Sequence, residues 1–495
     1  MMSDGSKPEG SWQFRRDGRR KGRARSSANQ RQTGRSLEYQ PKCGRIPLLG
    51  MPGQARFLLE LVYLQSKLKT PQHGAQCTKV VHFHLKKPRF GGASFLALFH
   101  LSIAMAHTKD GPIKIGVLYS TTGVTSTVEE TQQRAVIMAA EEVNRDGGVL
   151  GREIELLCVN PESNPRRYAG IAEQLILEHD VRLLFGCYMS STRKAVIPIV
   201  ERHDALLFYA TPYEGFEYSR NVIYAGAAPN QNSLPLAGFM LSNFGSRVWM
   251  VGSDYICPYE SNRVMSDLIL ERGGEKISET YLPLDATWES YLDVARRIKS
   301  AMPDFIFSTV VGEGITLLHR AFATVGLDPY AVPIASHMTS EAEIAIMGAD
   351  LAEGHITCAA YFQSVDTPQN RHAISRYHDR FGEQLVTNMC WEAAYFQMHM
   401  LADAIRRVGS DDPEHLLRVL PGLEYDAPQG RVRIDEHNHH TYLRPRIGRA
   451  NAHGQFDILV SAPERAKADP YVVSHSTPDW LGTVGKNMQG SEDRE

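Results

Sequence analysis

The 495-residue chain has room for two or three domains, and its net charge of −2 conceals two opposed parts. Residues 1–104 carry 19 Lys+Arg against 5 Asp+Glu, and the remainder 35 against 51, which excludes one folded unit with a uniform surface. The cysteines form no CxxC pair and no even framework, so reduced thiols are expected, with a lean towards the cytoplasm.

The basic segment 1–104 lacks apolar periodicity before Pro52. Its FRRDGRRKGRARS run has the composition of a nucleic-acid or solvated arm. The reading adopted is an upstream extension translated from a misplaced start, with Met105 as the working start, so no direct nucleic-acid contact is expected. Lys86–Ala106 has basic residues, an apolar run and an Ala-x-Ala end, the shape of a secretory signal far from Met1. It is too short to span a bilayer, and no membrane association is expected.

From Ile113 the pattern becomes α/β. IKIGVLYS, REIELLCV, VRLLFGC and ALLFYA read as strands, separated by helices over 129–144, 166–178 and from Ser190. After Ala228–Ser233 a second series follows: RVWMVGSD, KISETYLPL, DFIFSTVV, VPIASH and HITCAAYF. Its helices are expected over 259–272, 288–301, 314–325 and 341–347. A long helix over 391–408 returns the chain toward the first series, and a hairpin-like, strand-rich end runs from GRVRIDEHNHHTYL to GQFDILV. Continuous Val/Ile/Leu strands alternating with helices predict two doubly wound lobes with a ligand cleft between them. The expected division is 105–230 for lobe 1, 231–355 for lobe 2, 356–480 for crossings shared between lobes and 481–495 for a tail.

Open parallel sheets bind ligands at the carboxyl ends of their strands. The residues there are Ser120–Gly123, Tyr188–Thr192, Thr211–Tyr213, Asp254–Tyr255, Thr309 and Thr339–Ser340. Hydroxyls both donate and accept, which suits a small neutral polar ligand. Tyr188-Met-Ser190-Ser-Thr fails as a nucleophile elbow, because G-x-S-x-G is absent, and as a phosphate cradle, because no Gly-rich turn precedes it. It works as a helix cap, with Ser190 or Ser191 bonding free amides and Arg193 and Lys194 pairing with carboxylates such as Glu214. His437–His440 lack partners for a metal, Asp254 lacks a second acid or base, and no cofactor is expected.

Longer motifs carry a resemblance. EEVNRDGGVLGREIEL, over 141–156, is similar to the type I periplasmic-binding-protein (Leu/Ile/Val-binding) superfamily. GCYMSSTRKAV, TPYEGFEYS, VGSDYICPYESNRVM and YDAPQGRVRI resemble the AmiC-type amide sensors, negative regulators of aliphatic amidase operons. The resemblance runs from about Ile113 to Trp480. It implies a non-enzymatic Venus flytrap that closes on a small aliphatic amide or urea and sequesters an AmiR-like RNA-binding antitermination regulator. A homo-oligomer is allowed. The ligand positions it implies are Tyr188, Ser190, Tyr209, Thr211, Pro212 and Tyr255, with Thr309 and Thr339 from the second lobe. Cys257 stands where the sensors carry a tyrosine, so ligand size does not carry over. The alternative is a substrate-binding protein of an ABC transporter for urea or short-chain amides, periplasmic if 86–106 acts as a signal.

Overall fold

The computed structural model describes residues 111–472. The basic segment 1–104, the signal-like run, Met105 and the tail 481–495 lie outside the described residues. Chain order begins β1 (Ile113–Leu118), α1 (Ser126–Arg145), β2 (Ile154–Val159), α2 (Pro165–His179), β3 (Leu183–Gly186), α3 (Ser190–Arg202), β4 (Leu206–Tyr209) and β5 (Val222–Tyr224). It continues through α4 (Ser233–Asn243), β6 (Arg247–Ser253), α5 (Ile256–Glu271), β7 (Glu275–Leu282), α6 (Trp288–Ala301), β8 (Phe305–Thr309), α7 (Glu313–Thr324) and β9 (Ile334–Ser336). Then come α8 (Glu341–Met347), α9 (Ala349–Ala352), β10 (Ile356–Ala359), α10 (Pro368–Phe381), α11 (Met389–Val408) and α12 (Pro413–Leu416). The last strands are β11 (Glu424–Ala427), β12 (Gly430–Ile434), β13 (Thr441–Tyr442), β14 (Arg446–Ala450) and β15 (Phe456–Ser461).

The first sheet is parallel, in the order β2-β1-β3-β4-β5. The second runs β15-β14-β10-β9-β8-β6-β7, parallel from β10 to β7, with the β14–β15 hairpin antiparallel on its edge. The strand-rich end is therefore two structures. β12 and β13 pair with β11 in a small separate sheet, and β14–β15 extend the second lobe. The parallel part of the second sheet repeats the order of the first, which puts a topological switch point between β1 and β3 and another between β6 and β8. Ligands of such sheets bind outside the carboxyl ends of strands at those points.

Each sheet is covered on both faces. β3 and β4 are buried along their whole length, as continuous apolar strands require. On one face α1 presents an apolar stripe of Ala135, Val136, Ala139 and Val143 to α11, which supplies Trp391, Ala394, Met398, Leu401 and Ile405. Full burial of each large side chain in that seam is worth roughly 1.5–3 kcal/mol. α2 and α3 cover the other face through Tyr168, Leu175, Val196 and Val200.

Caps set the helix starts. Asn164 accepts from the amides of Arg166 and Arg167 ahead of Pro165, and Asn388 accepts from those of Cys390 and Trp391 at 2.9 Å each. The second cap starts α11 at Met389, earlier than its apolar periodicity predicts. α4 and α10 give little periodic signal. α4 is buried over most of its surface, and α10 buries only Asn370, Ala373 and Tyr377. Among the described residues no helix is long and apolar enough to cross a membrane.

Candidate ligand cleft

At the carboxyl end of β3, Cys187 takes a left-handed backbone (φ 70°) that turns the chain into Tyr188 and α3. The Tyr188 carbonyl accepts the Tyr209 hydroxyl at 2.8 Å. Ser190 does not cap α3. The N-cap is Met189, with no side-chain cap bond, and Ser190 is the first helical residue. Its hydroxyl turns to the β4 loop instead, donating to Glu214 and accepting from Arg193 Nη1 at 3.1 Å. A buried carboxylate is a stronger acceptor for that proton than the helix end is a partner for its oxygen.

Arg193 is completely buried. Its guanidinium lies 4.6 Å from the Tyr209 ring centre and 4.7 Å from that of Tyr213, and it bonds Glu217 at 2.7 Å and Glu214 at 3.4 Å. Lys194 adds a second cation, 2.9 Å from Glu217. Burial pushes the Glu217 carboxyl up, but Arg193 and then Lys194 outweigh it and bring the pKa down to about 2. The pairing of Arg193 and Lys194 with Glu214 is thus present, and Glu217 completes it. The pair-bonded cluster carries two positive and two negative charges.

Thr211 and Pro212 follow β4, both buried. The Thr211 hydroxyl accepts from Gln132 Nε2 at 3.0 Å. Gly226 has to be glycine here, because a Cβ would lie 1.9 Å from the Thr211 carbonyl oxygen.

From the second lobe, Tyr255 forms the N-cap position of α5, just after β6, and Cys257 sits in its first turn. Cys257 Sγ is 3.8 Å from Ser261 Oγ and lies close to Glu214, Arg193 and Ser190 of the first lobe. Burial pushes this thiol up to about 12, and Glu214 adds to the rise. Tyr255 is partly buried against the second lobe's apolar cluster, and Cys257, Glu214 and Tyr209 are its electrostatic neighbours. Tyr188, Ser190, Tyr209, Tyr255 and Cys257 therefore meet across the two lobes, with Thr211 alongside. Thr309 and Thr339 are engaged within lobe 2. The Thr309 hydroxyl donates to Asn262 Oδ1 at 2.9 Å, and the Thr339 amide and carbonyl bond Ser336 and Thr357.

Sequence reading missed Glu343. Its carboxyl accepts from the Ser340 amide at 2.9 Å and hydroxyl at 2.6 Å, and after burial its charge is what most raises both Tyr188 and Cys390. Burial pushes it up to about 7 against those Ser340 bonds. The S-x-x-E spacing of Ser340 and Glu343 was the available signal, since it spells a capping box.

The lobes also touch at the cleft's flanks. Arg263 of α5 lies 4.8 Å from the Phe216 ring centre, and Gly312 packs on Val124 so closely that a Cβ would come within 2.3 Å of its carbonyl oxygen. His440 lies outside the cleft, stacked 4.1 Å from Tyr224, with ring nitrogens on Tyr213 and the Asn438 carbonyl. Asp254 takes a hydrogen bond from Tyr259 at 2.9 Å. A cavity lined by Lys114, Arg152, Asp411 and Pro413 opens at the amino ends of β1 and β3, the wrong end of the sheet for the switch point.

Known proteins share this frame. The chain is 24% identical over 365 residues to Leu/Ile/Val-binding protein homolog 6 of Brucella suis, covering 70% of this chain and 90% of that one. A solute-binding protein of an R. palustris ABC transporter, solved in complex with benzoate, superposes with a TM-score of 0.66 at 17% identity, over 72% of this chain and 98% of that one. The isoleucine complex of a Streptococcus pneumoniae branched-chain amino acid binding protein gives 0.63 at 15%, over 72% and 99%. A limonene hydroxylase of Geobacillus stearothermophilus is 35% identical over 128 residues, 26% of this chain, and the match spans only 23% of that relative's length. Residues 113–477 match the family described as a periplasmic binding protein domain, and the chain belongs to that family.

Proposed function

We propose that the chain is a non-enzymatic receptor for a small neutral amide or urea, held between the two switch points as the lobes close. One observation carries this reading. The buried cation beside the cleft, Arg193, is matched by Glu214 and Glu217 and enclosed between two rings, so the lining offers hydroxyls, phenols and a thiol with balanced charge. A carboxylate such as benzoate or an amino acid needs a cation or several free donors to replace its hydration, whereas an amide needs one acceptor and one or two donors. Titration calorimetry with acetamide, propionamide and urea, against isoleucine and benzoate, tests the proposal. Amide or urea binding with silent acids supports it, and the reverse pattern refutes it.

Two outputs fit such a receptor. The relatives, binding proteins of the Leu/Ile/Val class and ABC-transporter solute-binding proteins, favour delivery of the ligand to a transporter. The motif run from GCYMSSTRKAV to YDAPQGRVRI favours the second output, a cytoplasmic sensor that releases an AmiR-like antitermination regulator when the amide binds. Cell fractionation separates them. Protein in the periplasm selects transport, and cytoplasmic protein that loses a regulator complex on adding amide selects the sensor.

A further inference from the structure

Among the buried side-chain polar atoms without a hydrogen-bond partner, two lie near the carboxyl ends of β1 and β4, the hydroxyl of Tyr119 and the carbonyl oxygen of Gln132. Both side chains are fully buried. Tyr119 follows β1 directly, in register with Ile113, Ile115 and Val117, and so faces α1 and α11. Gln132 lies on α1 and donates Nε2 to the Ala210 carbonyl at 3.3 Å and to Thr211 Oγ1 at 3.0 Å. A backbone carbonyl only accepts, so the amide nitrogen is fixed on that side and Oε1 is left as an acceptor without a donor. Ala210 connects the two positions, because it shares an apolar cluster with Tyr119 and its carbonyl accepts from Gln132. Cys390, at the start of α11, belongs to the apolar cluster that joins Val128 and Tyr188 of the first lobe to the second. The unpartnered atoms therefore border the cleft at the β1/β3 switch point.

Leaving such groups unpaired is unfavourable, and native proteins keep few of them, mostly where a ligand or water completes the set. One atom here is a donor and the other an acceptor that is short of a proton. A primary amide offers the complement, a carbonyl oxygen and an NH2. Resting on the amide reading above, we propose that Tyr119 and Gln132 are specificity-determining residues of this site. Tyr119 Oη donates to the ligand carbonyl, and Gln132 Oε1 accepts from its NH2.

Tyr119→Phe is the informative variant, because it removes only the unpartnered hydroxyl and keeps the ring in the core. Affinity for propionamide should fall about tenfold while the unfolding midpoint stays level or rises. For Gln132 the ligand is altered instead, since the side chain also anchors Ala210 and Thr211. N-methylpropionamide keeps one N–H and methyl propionate keeps none, so only the ester should lose a further tenfold or more. Wild-type protein that binds no amide or urea overturns the amide reading and this inference together. Wild-type binding with unchanged affinity in Tyr119→Phe, the result expected if water fills the gap, overturns this inference alone.

Discussion

Arg193→Met tests the energetic centre of the first lobe. The substitution keeps the chain length and much of the volume but removes the charge from between Tyr209 and Tyr213. It takes away hydrogen bonds to Glu217, Ser190 and Glu214 and leaves Glu214, itself almost fully buried, with only the more distant Lys194 at 3.9 Å as a cation. Breaking a buried ion pair from one side costs about 3–5 kcal/mol, because the remaining charge stays desolvated. Lys194 still reaches Glu217 at 2.9 Å and is 42% exposed, so it compensates one of the two carboxylates. The loss should therefore lie near the lower end, about 3 kcal/mol, or roughly 5–10 °C in the unfolding midpoint. Adding Glu214→Gln should recover part of that loss, since the uncompensated charge is then gone. Arg193→Lys keeps a charge without the planar fork and should fall between the two. Urea unfolding followed by circular dichroism measures all three. A loss below about 1 kcal/mol in Arg193→Met, or no recovery in the double variant, would refute a buried, charge-balanced cluster.

Stability should also fall as pH rises from 7 to 9. Burial raises Glu129, Glu343 and Glu392 to about 7 and Glu341 to about 8 from the ordinary 4.5, so the native state holds protons that the unfolded chain has released. Their stabilising effect is full below about 4.5 and is lost as pH climbs through the folded values. Burial pushes His319, His337 and His440 down to about 4, which favours the native state with rising pH only up to about 6.5. Thermal unfolding across a pH series reads the sign, and a midpoint rising between pH 7 and 9 contradicts it. Cys257 should react slowly with iodoacetamide at pH 8, and more slowly still with propionamide present, while Cys158, exposed though also raised by partial burial, reacts faster. Equal rates at the two thiols, by peptide mass mapping, would remove Cys257 from the closed interface. Phe216→Ala should weaken every ligand by a similar factor, about two- to fivefold, because it removes a cation–π contact between the lobes and none within the cleft. A selective loss for one ligand would place Phe216 in the pocket instead.

The strands were legible because the parallel sheets bury both faces, and β3 and β4 are apolar at every position. The crossings were harder to read. α4 is apolar on nearly all sides and α10 on almost none, so neither shows the 3.6-residue alternation that marks a half-buried helix. β5 has only three residues and owes its place to pairing with β4, a contact between segments that local sequence does not report. In the cleft, strand-end positions pointed to Tyr188, Tyr209, Thr211 and Tyr255, because topology fixes where strand ends lie. The role of Ser190 was misread for the opposite reason. Its partner Glu214 lies in a loop 24 residues on, and local capping rules do not see a tertiary acceptor. Gln132 and Tyr119 resemble ordinary helix and core residues in sequence, and their place near the Thr211 strand end appears only in the tertiary structure.

The loop from Thr211 to Glu217 connects binding to closure. Thr211 and Pro212 begin it at the strand end, Glu214 fixes Ser190, and Glu217 fixes Arg193. Between those carboxylates the chain passes through Gly215 and Phe216, both left-handed, at φ 83° and 55°. For phenylalanine that backbone costs about 1–2 kcal/mol, and it persists because its surroundings over-determine it. The Phe216 amide donates to the Pro470 carbonyl at 2.7 Å, and a Cβ on Gly215 would lie 2.3 Å from the same oxygen. Held in this way, Phe216 reaches across to Arg263 on the second lobe. The loop therefore cannot carry its cleft groups and its cross-lobe contact independently. A ligand shifts the lobes only by its differential affinity for the closed form, and this loop is where the lining and the closure contact share one backbone. Changes at Thr211 should then alter which ligand closes the protein, and changes at Phe216 how readily any ligand does so.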